Sequence, residues 1–299
     1  PEMKKAGYNH SFALGSISGS ACLGMLIHPI VLLIVWGIIT EDSIGKLFVA
    51  GVIPGVLLAL LYVAYNLIRA IQNPKLAPEP DTVGLTTKLT KTEIYSGFSI
   101  IGLIFLVLGG IWGGFFTATE AAGMGAIASF VIALFKGMRF KGVVASIIDA
   151  GKTSAPIMIL LITAGMYSRF LSLSDINSII LEAITSVGLN QFAILIMMVV
   201  IWLVLGMLLD SISIILLTVP LFIHLVPDMN PYAFAIFGIL AIEAGLLTPP
   251  FGLIVYTVKG VLTGSNDNVP LGTIFMGSIP YRIMFLFVMI IVCLLYTSP

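Results

Sequence analysis

Long apolar runs, each interrupted by a few Gly, Pro or polar residues, set the order of elements along this 299-residue chain. A helix that crosses a bilayer needs about 20 apolar residues. Phe12 to Ile39 is long enough, but Gly15, Gly19, Gly24 and Pro29 interrupt it. It reads as two half-helices around an unwound centre. Phe48 to Ile71 predicts an unbroken span, and Gln72 to Glu93, with Pro74, Pro78, Pro80 and Asp81, a polar loop. Ile94 to Trp112, Ala118 to Phe135 and Val144 to Phe170 predict three more spans. Ser172 to Gly188 carries Asp175, Asn177 and Glu182, is amphipathic, and predicts a helix lying in the membrane interface. Residues 191–226 form two apolar arms around Gly206-Met207-Leu208-Leu209-Asp210-Ser211-Ile212-Ser213. Each arm is short for a full crossing, so the pair predicts a re-entrant hairpin with a polar tip. A second broken helix occupies 231–262. A short amphipathic piece, Pro270 to Met276, precedes the last span, Ile279 to Tyr296.

One motif occurs twice. Gly24-Met25-Leu26-Ile27-His28-Pro29 is echoed by Gly245-Leu246-Leu247-Thr248-Pro249-Pro250. The echo continues with Ile44-Gly45-Lys46-Leu47-Phe48 against Leu271-Gly272-Thr273-Ile274-Phe275, and with Gly51-Val52-Ile53-Pro54 against Gly277-Ser278-Ile279-Pro280. Gly and Pro at membrane depth free backbone carbonyls that only protein, an ion or a cavity can satisfy. Two such breaks at matching places point to a transporter binding site.

Composition narrows the class. Hydrophobic residues make up 59% and charged residues 9%, against about 25% charged in soluble domains. Continuous apolar runs, rather than alternation, exclude a β-barrel and leave an all-α integral membrane protein. Cys22 and Cys293 match no metal or disulfide spacing and read as buried thiols. An intramembrane enzyme needs a nucleophile with a base or a metal cluster, and Ser18 has no His suitably placed. No nucleic-acid partner is expected. Pro1 to Tyr8 has neither an initiator Met nor a signal pattern. Leu294 to Pro299 ends without a polar tail, so the chain reads as a fragment truncated mainly at its front.

Charge then orients the spans. With a re-entrant hairpin, one side holds Lys4, Lys5, Arg69, Lys75, Lys88, Lys91, Lys136, Arg139, Lys141, Lys152, Lys259 and Arg282; the other holds only Lys46 and Arg169. The positive-inside rule makes the first side cytoplasmic. The two broken helices then enter from opposite sides, as an inverted repeat. The expected organisation is 1–71 as an incomplete first repeat, 72–93 as a cytoplasmic loop, and 94–299 as the second repeat.

Few polar residues carry chemistry. Thr248-Pro249-Pro250 places a hydroxyl beside freed carbonyls, oxygens suited to sodium. Asp210 is an intramembrane carboxylate and a functional candidate; it equally suits the cap of the second arm. Glu243 is a proton site or a structural partner. Ser16, Ser18 and Ser20 face the first break, where small serines also permit close packing. Thr117 and Glu120 have the spacing of a capping box. His28 and His224 fit core or interface positions.

Gly206-Met207-Leu208-Leu209-Asp210, followed by Glu243-Ala244-Gly245-Leu246-Leu247-Thr248-Pro249-Pro250-Phe251-Gly252-Leu253, resembles the large membrane subunit of tripartite ATP-independent periplasmic (TRAP) transporters. Ser43 to Phe48 and Gly114 to Ala122 extend the resemblance, which covers essentially the whole chain. It implies a sodium-coupled elevator transporter of organic acids in the bacterial inner membrane. Its implied partners are a small membrane subunit and a periplasmic substrate-binding protein, and its substrate a C4-dicarboxylate, sialic acid or related carboxylate. Sodium would sit where each hairpin tip meets a broken helix. Gly24 and Ile27 would serve one site, and Gly206, Gly245 and Thr248 the other. Ser18, Ser20 and Asp210 would face substrate, and sodium is the one ion implied, with no cofactor. The family usually has Thr at Cys22, Pro at His28 and often Ser at Ile30, so the first break departs from its pattern. The alternative is a proton-coupled transporter of related architecture using Glu243 or Asp210.

Overall fold

A computed structural model of the chain describes residues 2–27, 31–78, 90–186, 188–264 and 269–297, with helices throughout and no strand among them. In chain order they are α1 (Glu2–Lys5), α2 (His10–Ile27), α3 (Val31–Thr40), α4 (Ile44–Gln72) and α5 (Lys91–Ile104). α5 runs through a π-helical turn (Phe105–Gly109) into α6 (Gly110–Trp112). Then come α7 (Ala118–Phe135), α8 (Phe140–Leu173), α9 (Ile176–Ser186), α10 (Gln191–Gly206), α11 (Ser211–Phe222), α12 (Pro231–Leu246), α13 (Leu253–Gly264) and α14 (Leu271–Thr297). Among the described residues, five helical stretches are long and apolar enough to cross a membrane: α4, Glu93–Trp112, α7, α8 and Leu271–Leu294 of α14. α10 and α11 have 16 and 12 residues. At about 1.5 Å per residue, both fall short of the roughly 30 Å hydrocarbon core.

The helices start where polar residues satisfy their first N–H groups. The Asn190 side chain accepts from Ala193 N at 2.8 Å and opens α10. Asn230, followed by Pro231, opens α12 and accepts from Tyr232 N at 3.0 Å. Thr117 and Glu120 form the expected capping box at the start of α7. Each such cap is worth about 1 kcal/mol.

Beyond shifts of a few residues at helix ends, such as α8 starting at Phe140 rather than Val144, three features differ from those read off the sequence. α2 stays helical through Gly15, Gly19 and Gly24 as far as Ile27. These glycines do not unwind it; two of them admit neighbours instead. A Cβ on Gly15 would collide with the Gly277 backbone, and one on Gly19 would lie 2.5 Å from the Tyr281 ring. α2 ends at Ile27 and α3 begins at Val31, and His28, Pro29 and Ile30 lie outside the described residues. α14 is one continuous helix with Pro280 inside it, without a separate amphipathic piece before the span. Proline removes only one helical hydrogen bond, and packing of Gly277 and Tyr281 against α2 holds the turns on either side. α5 enters a π-helical turn over 105–109, a local widening that apolar periodicity does not encode.

Contacts divide the chain into two compact units, residues 1–80 with 164–299, and 81–163. In the first, α2 packs on α14 and α4, and α12 packs on α14, α4 and α10, while α11 lies on α3. The pairs α2·α14 and α12·α4 exchange when the two motif copies are exchanged. So do residue contacts: Gly15 meets Gly277, and a Cβ on Gly51 would lie 3.6 Å from Ile236 Cδ1. Gly15 and Ile236 hold the same place in the two copies, as do Gly277 and Gly51.

The core of this unit is aromatic. Trp36 of α3 lies 5.5 Å from Phe234 and 6.4 Å from Trp202, ring centre to ring centre. Gly238 makes room: a Cβ there would lie 2.5 Å from Trp36 Cη2. Each ring pair contributes about 0.5–1.5 kcal/mol beyond its buried area. The cluster locks α3 to α10 and α12 beneath the hairpin tip. In the second unit, α7 crosses the π-helical turn closely, since a Cβ on Gly125 would lie 2.8 Å from Val107 Cγ2. Lys136 Nζ donates to Ser96 Oγ at 2.9 Å within the same unit.

Candidate functional site

The end of α10 and the end of α12 meet at two glycines. A Cβ on Gly206 would lie 2.8 Å from Gly245 Cα, and one on Gly245 would lie 2.9 Å from Gly206 Cα. No larger residue fits at either position without moving a backbone. The contact therefore brings the last carbonyls of two helices together, and such carbonyls have no intrahelical donor.

Most of these carbonyls find partners. Leu205 O accepts from Leu208 N at 2.9 Å and from Leu209 N at 2.8 Å. Gly245 O accepts from Thr248 N at 2.8 Å, and Ala244 O accepts from Thr248 Oγ1 at 2.7 Å. Gly206 O receives no backbone donor among the described residues. Thr248 commits its hydroxyl proton to Ala244, leaving its lone pairs free to accept or to ligate. Pro249 and Pro250 follow without N–H groups, and α13 starts only at Leu253. Gly252 closes the turn with φ +45°, and a Cβ there would lie 2.7 Å from Phe275 Cε1. The site thus offers Gly206 O, Gly245 O and Thr248 Oγ1, all neutral hard oxygens. This donor set fits sodium or water and offers no soft ligand. Among the described residues no cluster of His, Cys, Asp and Glu forms a transition-metal site.

Beside it lies a buried acid. Glu243 is fully buried, and its Oε1 accepts from Ser211 Oγ at 2.8 Å. Its Oε2 is buried with no hydrogen-bond partner among the described residues. Cys22 Sγ donates to the Glu243 backbone carbonyl at 3.8 Å, a weak bond. Glu243 therefore joins the hairpin (Ser211), the first broken helix (Cys22) and the second broken helix that carries it.

Other candidates fall elsewhere. Asp210 is the N-cap of α11, accepting from Ser213 N at 3.1 Å and Ser213 Oγ at 2.6 Å. Its carboxylate is exposed at the hairpin tip and in part committed to structure. Ser18 is buried and donates to Leu14 O at 2.8 Å within its own helix, whereas Ser20 is exposed. Gly24 is exposed with nothing within 4 Å of its Cβ position, and Ile27 ends α2. Gly206, Gly245 and Thr248 thus lie together where the end of α10 meets the end of α12.

Sequence reasoning missed Ser211 as the partner of Glu243, and Cys22 as its neighbour. A signal for the second was present: Cys22 and Glu243 each stand two residues before the glycine of their motif copy.

Among the described residues, five helices long and apolar enough to cross a membrane, with shorter apolar helices beside them, define a multi-pass membrane protein. Its sequence matches the family described as "Tripartite ATP-independent periplasmic transporter, DctM component" over residues 1–297, and the chain belongs to that family. It is 31% identical to the C4-dicarboxylate TRAP transporter large permease protein DctM of Pseudomonas aeruginosa, over 97% of this chain and 67% of the relative. It is 30% identical to the ectoine TRAP transporter large permease protein TeaC of Halomonas elongata, over 91% of this chain and 64% of the relative. The sialic acid TRAP transporter permease protein SiaT of Haemophilus influenzae is 28% identical, over 94% of this chain and 45% of the relative. The chain is a transport protein, not an enzyme.

Proposed function

We propose that this chain supplies the membrane permease of a sodium-coupled, binding-protein-dependent importer of organic acids in the bacterial inner membrane. The observation that carries the reading is the junction where Gly206 at the hairpin tip touches Gly245 backbone to backbone and Thr248 N donates to Gly245 O, next to carbonyl and hydroxyl oxygens of the second break. Sodium is the cargo these oxygens suit, and its binding would draw the tip onto the break. The substrate is a C4-dicarboxylate, sialic acid or related carboxylate, classes that include two of the relatives' named cargoes. The partners are a small TRAP membrane subunit and a periplasmic substrate-binding protein. The two motif copies act as an inverted repeat, a reading supported by their exchangeable contacts. An elevator motion would carry the broken-helix unit across the bilayer. Ser18, Ser20 and Asp210 are proposed to face substrate, and Gly24 and Ile27 to serve a second sodium site.

The test is uptake by the full-length protein in vesicles. Uptake should require both sodium and the cognate binding protein. Uptake that persists without sodium but collapses with the proton gradient would reject sodium coupling. That outcome would favour a second reading, proton coupling through Glu243, whose buried and unpartnered Oε2 offers a place for a proton.

A further inference from the structure

A polar cavity of about 250 Å³ lies away from the hairpin tip, between the start of α2, the end of α4 and the first turns of α14. Asn9, Ser11, Tyr65, Arg69, Gly277 and Tyr281 are among its walls. Among the described residues Arg69 is the one charged residue lining it, and no carboxylate does. Among the described residues the Arg69 guanidinium has no ion pair or hydrogen-bond partner, and neither does the Tyr65 hydroxyl.

Side-chain donors line the cavity. Asn9 Oδ1 is occupied by Phe12 N at 3.2 Å, which leaves the Asn9 amide N–H groups free to donate. Phe12 N and Ala13 N of the first turn of α2 are taken by Asn9 Oδ1 and Asn9 O, so the open donors are the Asn9 amide, the Tyr65 hydroxyl and the Arg69 guanidinium. The Tyr65 ring is held in place against Tyr281, centre to centre 5.5 Å, and Tyr281 Oη is anchored on Asn66 Oδ1. The walls are therefore set before any ligand arrives.

The position on the molecule says what arrives. Arg69 stands in the last turn of a 29-residue apolar helix, at the depth where a span meets the headgroups. Leu67, Ile68 and Ile71 around it are all more than half exposed, and Met276 on the cavity wall is 67% exposed. An arginine that rises from such an apolar collar snorkels to the interface, where phosphate is the abundant anion. A guanidinium pairs with phosphate through parallel charge-assisted hydrogen bonds.

We propose that this cavity binds a phosphate group, held by Arg69, Tyr65 and Asn9, and that the exposed apolar collar receives the chains of the lipid that carries it. This site is separate from the ion junction, and its test does not depend on transport.

The experiment uses the full-length protein purified in a neutral detergent. Its affinity is measured by native mass spectrometry and thermal shift, with phosphatidylglycerol and with inorganic phosphate as separate probes. Phosphatidylglycerol should bind and raise the melting temperature. Arg69→Gln should weaken that binding by about tenfold or more, as loss of one charge-assisted pair implies. Tyr65→Phe keeps the ring and should weaken it by less. Lys75→Gln, which changes a cation outside the cavity, should leave it unchanged. If inorganic phosphate reproduces the Arg69-dependent shift, the phosphate site stands and its source is the free anion. If neither probe binds, or if Lys75→Gln and Arg69→Gln weaken binding equally, the proposal is overturned.

Discussion

The Cys22 thiol donates to the backbone carbonyl of Glu243 across 3.8 Å, and the two residues hold the same position in the two copies of the Gly-to-Pro motif. Residues related by a two-fold operation touch one another only where the axis passes between them. The Cys22–Glu243 contact therefore marks where an axis relating α2 with α4 to α12 with α14 would run. The matched contacts Gly15 with Gly277 and Ile236 with Gly51 agree with that axis.

The Gly206–Gly245 contact predicts the cost of enlarging either residue. Gly206→Ala and Gly245→Ala each push a methyl to within 3 Å of the opposite backbone. Each should destabilise the protein by about 1–3 kcal/mol, read as a lower melting temperature in detergent, and should reduce uptake. Alanine at Gly24, where nothing lies within 4 Å, should leave the melting temperature unchanged.

Thr248 should set sodium dependence. Thr248→Ala should raise the sodium concentration needed for half-maximal uptake, and Thr248→Ser, which keeps the oxygen, should restore it. Unchanged sodium dependence in the alanine variant would remove Thr248 from the site.

Ser211 should act through Glu243. Ser211→Ala leaves both buried carboxylate oxygens without a side-chain partner, at a cost of about 1–3 kcal/mol. In a double-mutant cycle with Glu243→Gln, the two effects should be non-additive by at least about 0.5 kcal/mol in the thermal melt. Additivity would show that the 2.8 Å contact carries no coupling.

Orientation is open to direct labelling. A cysteine placed at Lys46 or Arg169 should react with a membrane-impermeant maleimide from the outside of intact cells. One placed at Lys136 or Lys152 should react only after the membrane is opened. The reverse pattern would overturn the assignment of the Lys136 and Lys152 side as cytoplasmic.

Much of the site was legible along the chain because its devices are local. Asp210 caps α11 through Ser213, three residues away; Thr248 bonds Ala244, four residues away; Pro249 and Pro250 forbid continuation of α12. Such short-range rules fix helix ends wherever the rest of the chain lies. The glycines were harder to assign. Gly15 and Gly19 read as breaks, yet α2 runs through both, because packing against Gly277 and Tyr281 outweighs their low helix propensity of about 1 kcal/mol each. Pro280 likewise signals an end that α14 does not take.

What the sequence by itself determined was therefore an all-α membrane protein, its hairpin, its second break and the two copies of its motif. Hydrophobic length, capping and proline act within a few residues, so each could be read where it stood. What only the tertiary structure decided was which residues became neighbours: Gly206 on Gly245, Ser211 on Glu243, Cys22 on the Glu243 carbonyl, and Arg69 on the wall of a polar cavity. Those pairings join residues 32 to 221 positions apart in the bonded cases. They depend on how helices cross, and no local pattern encodes a crossing.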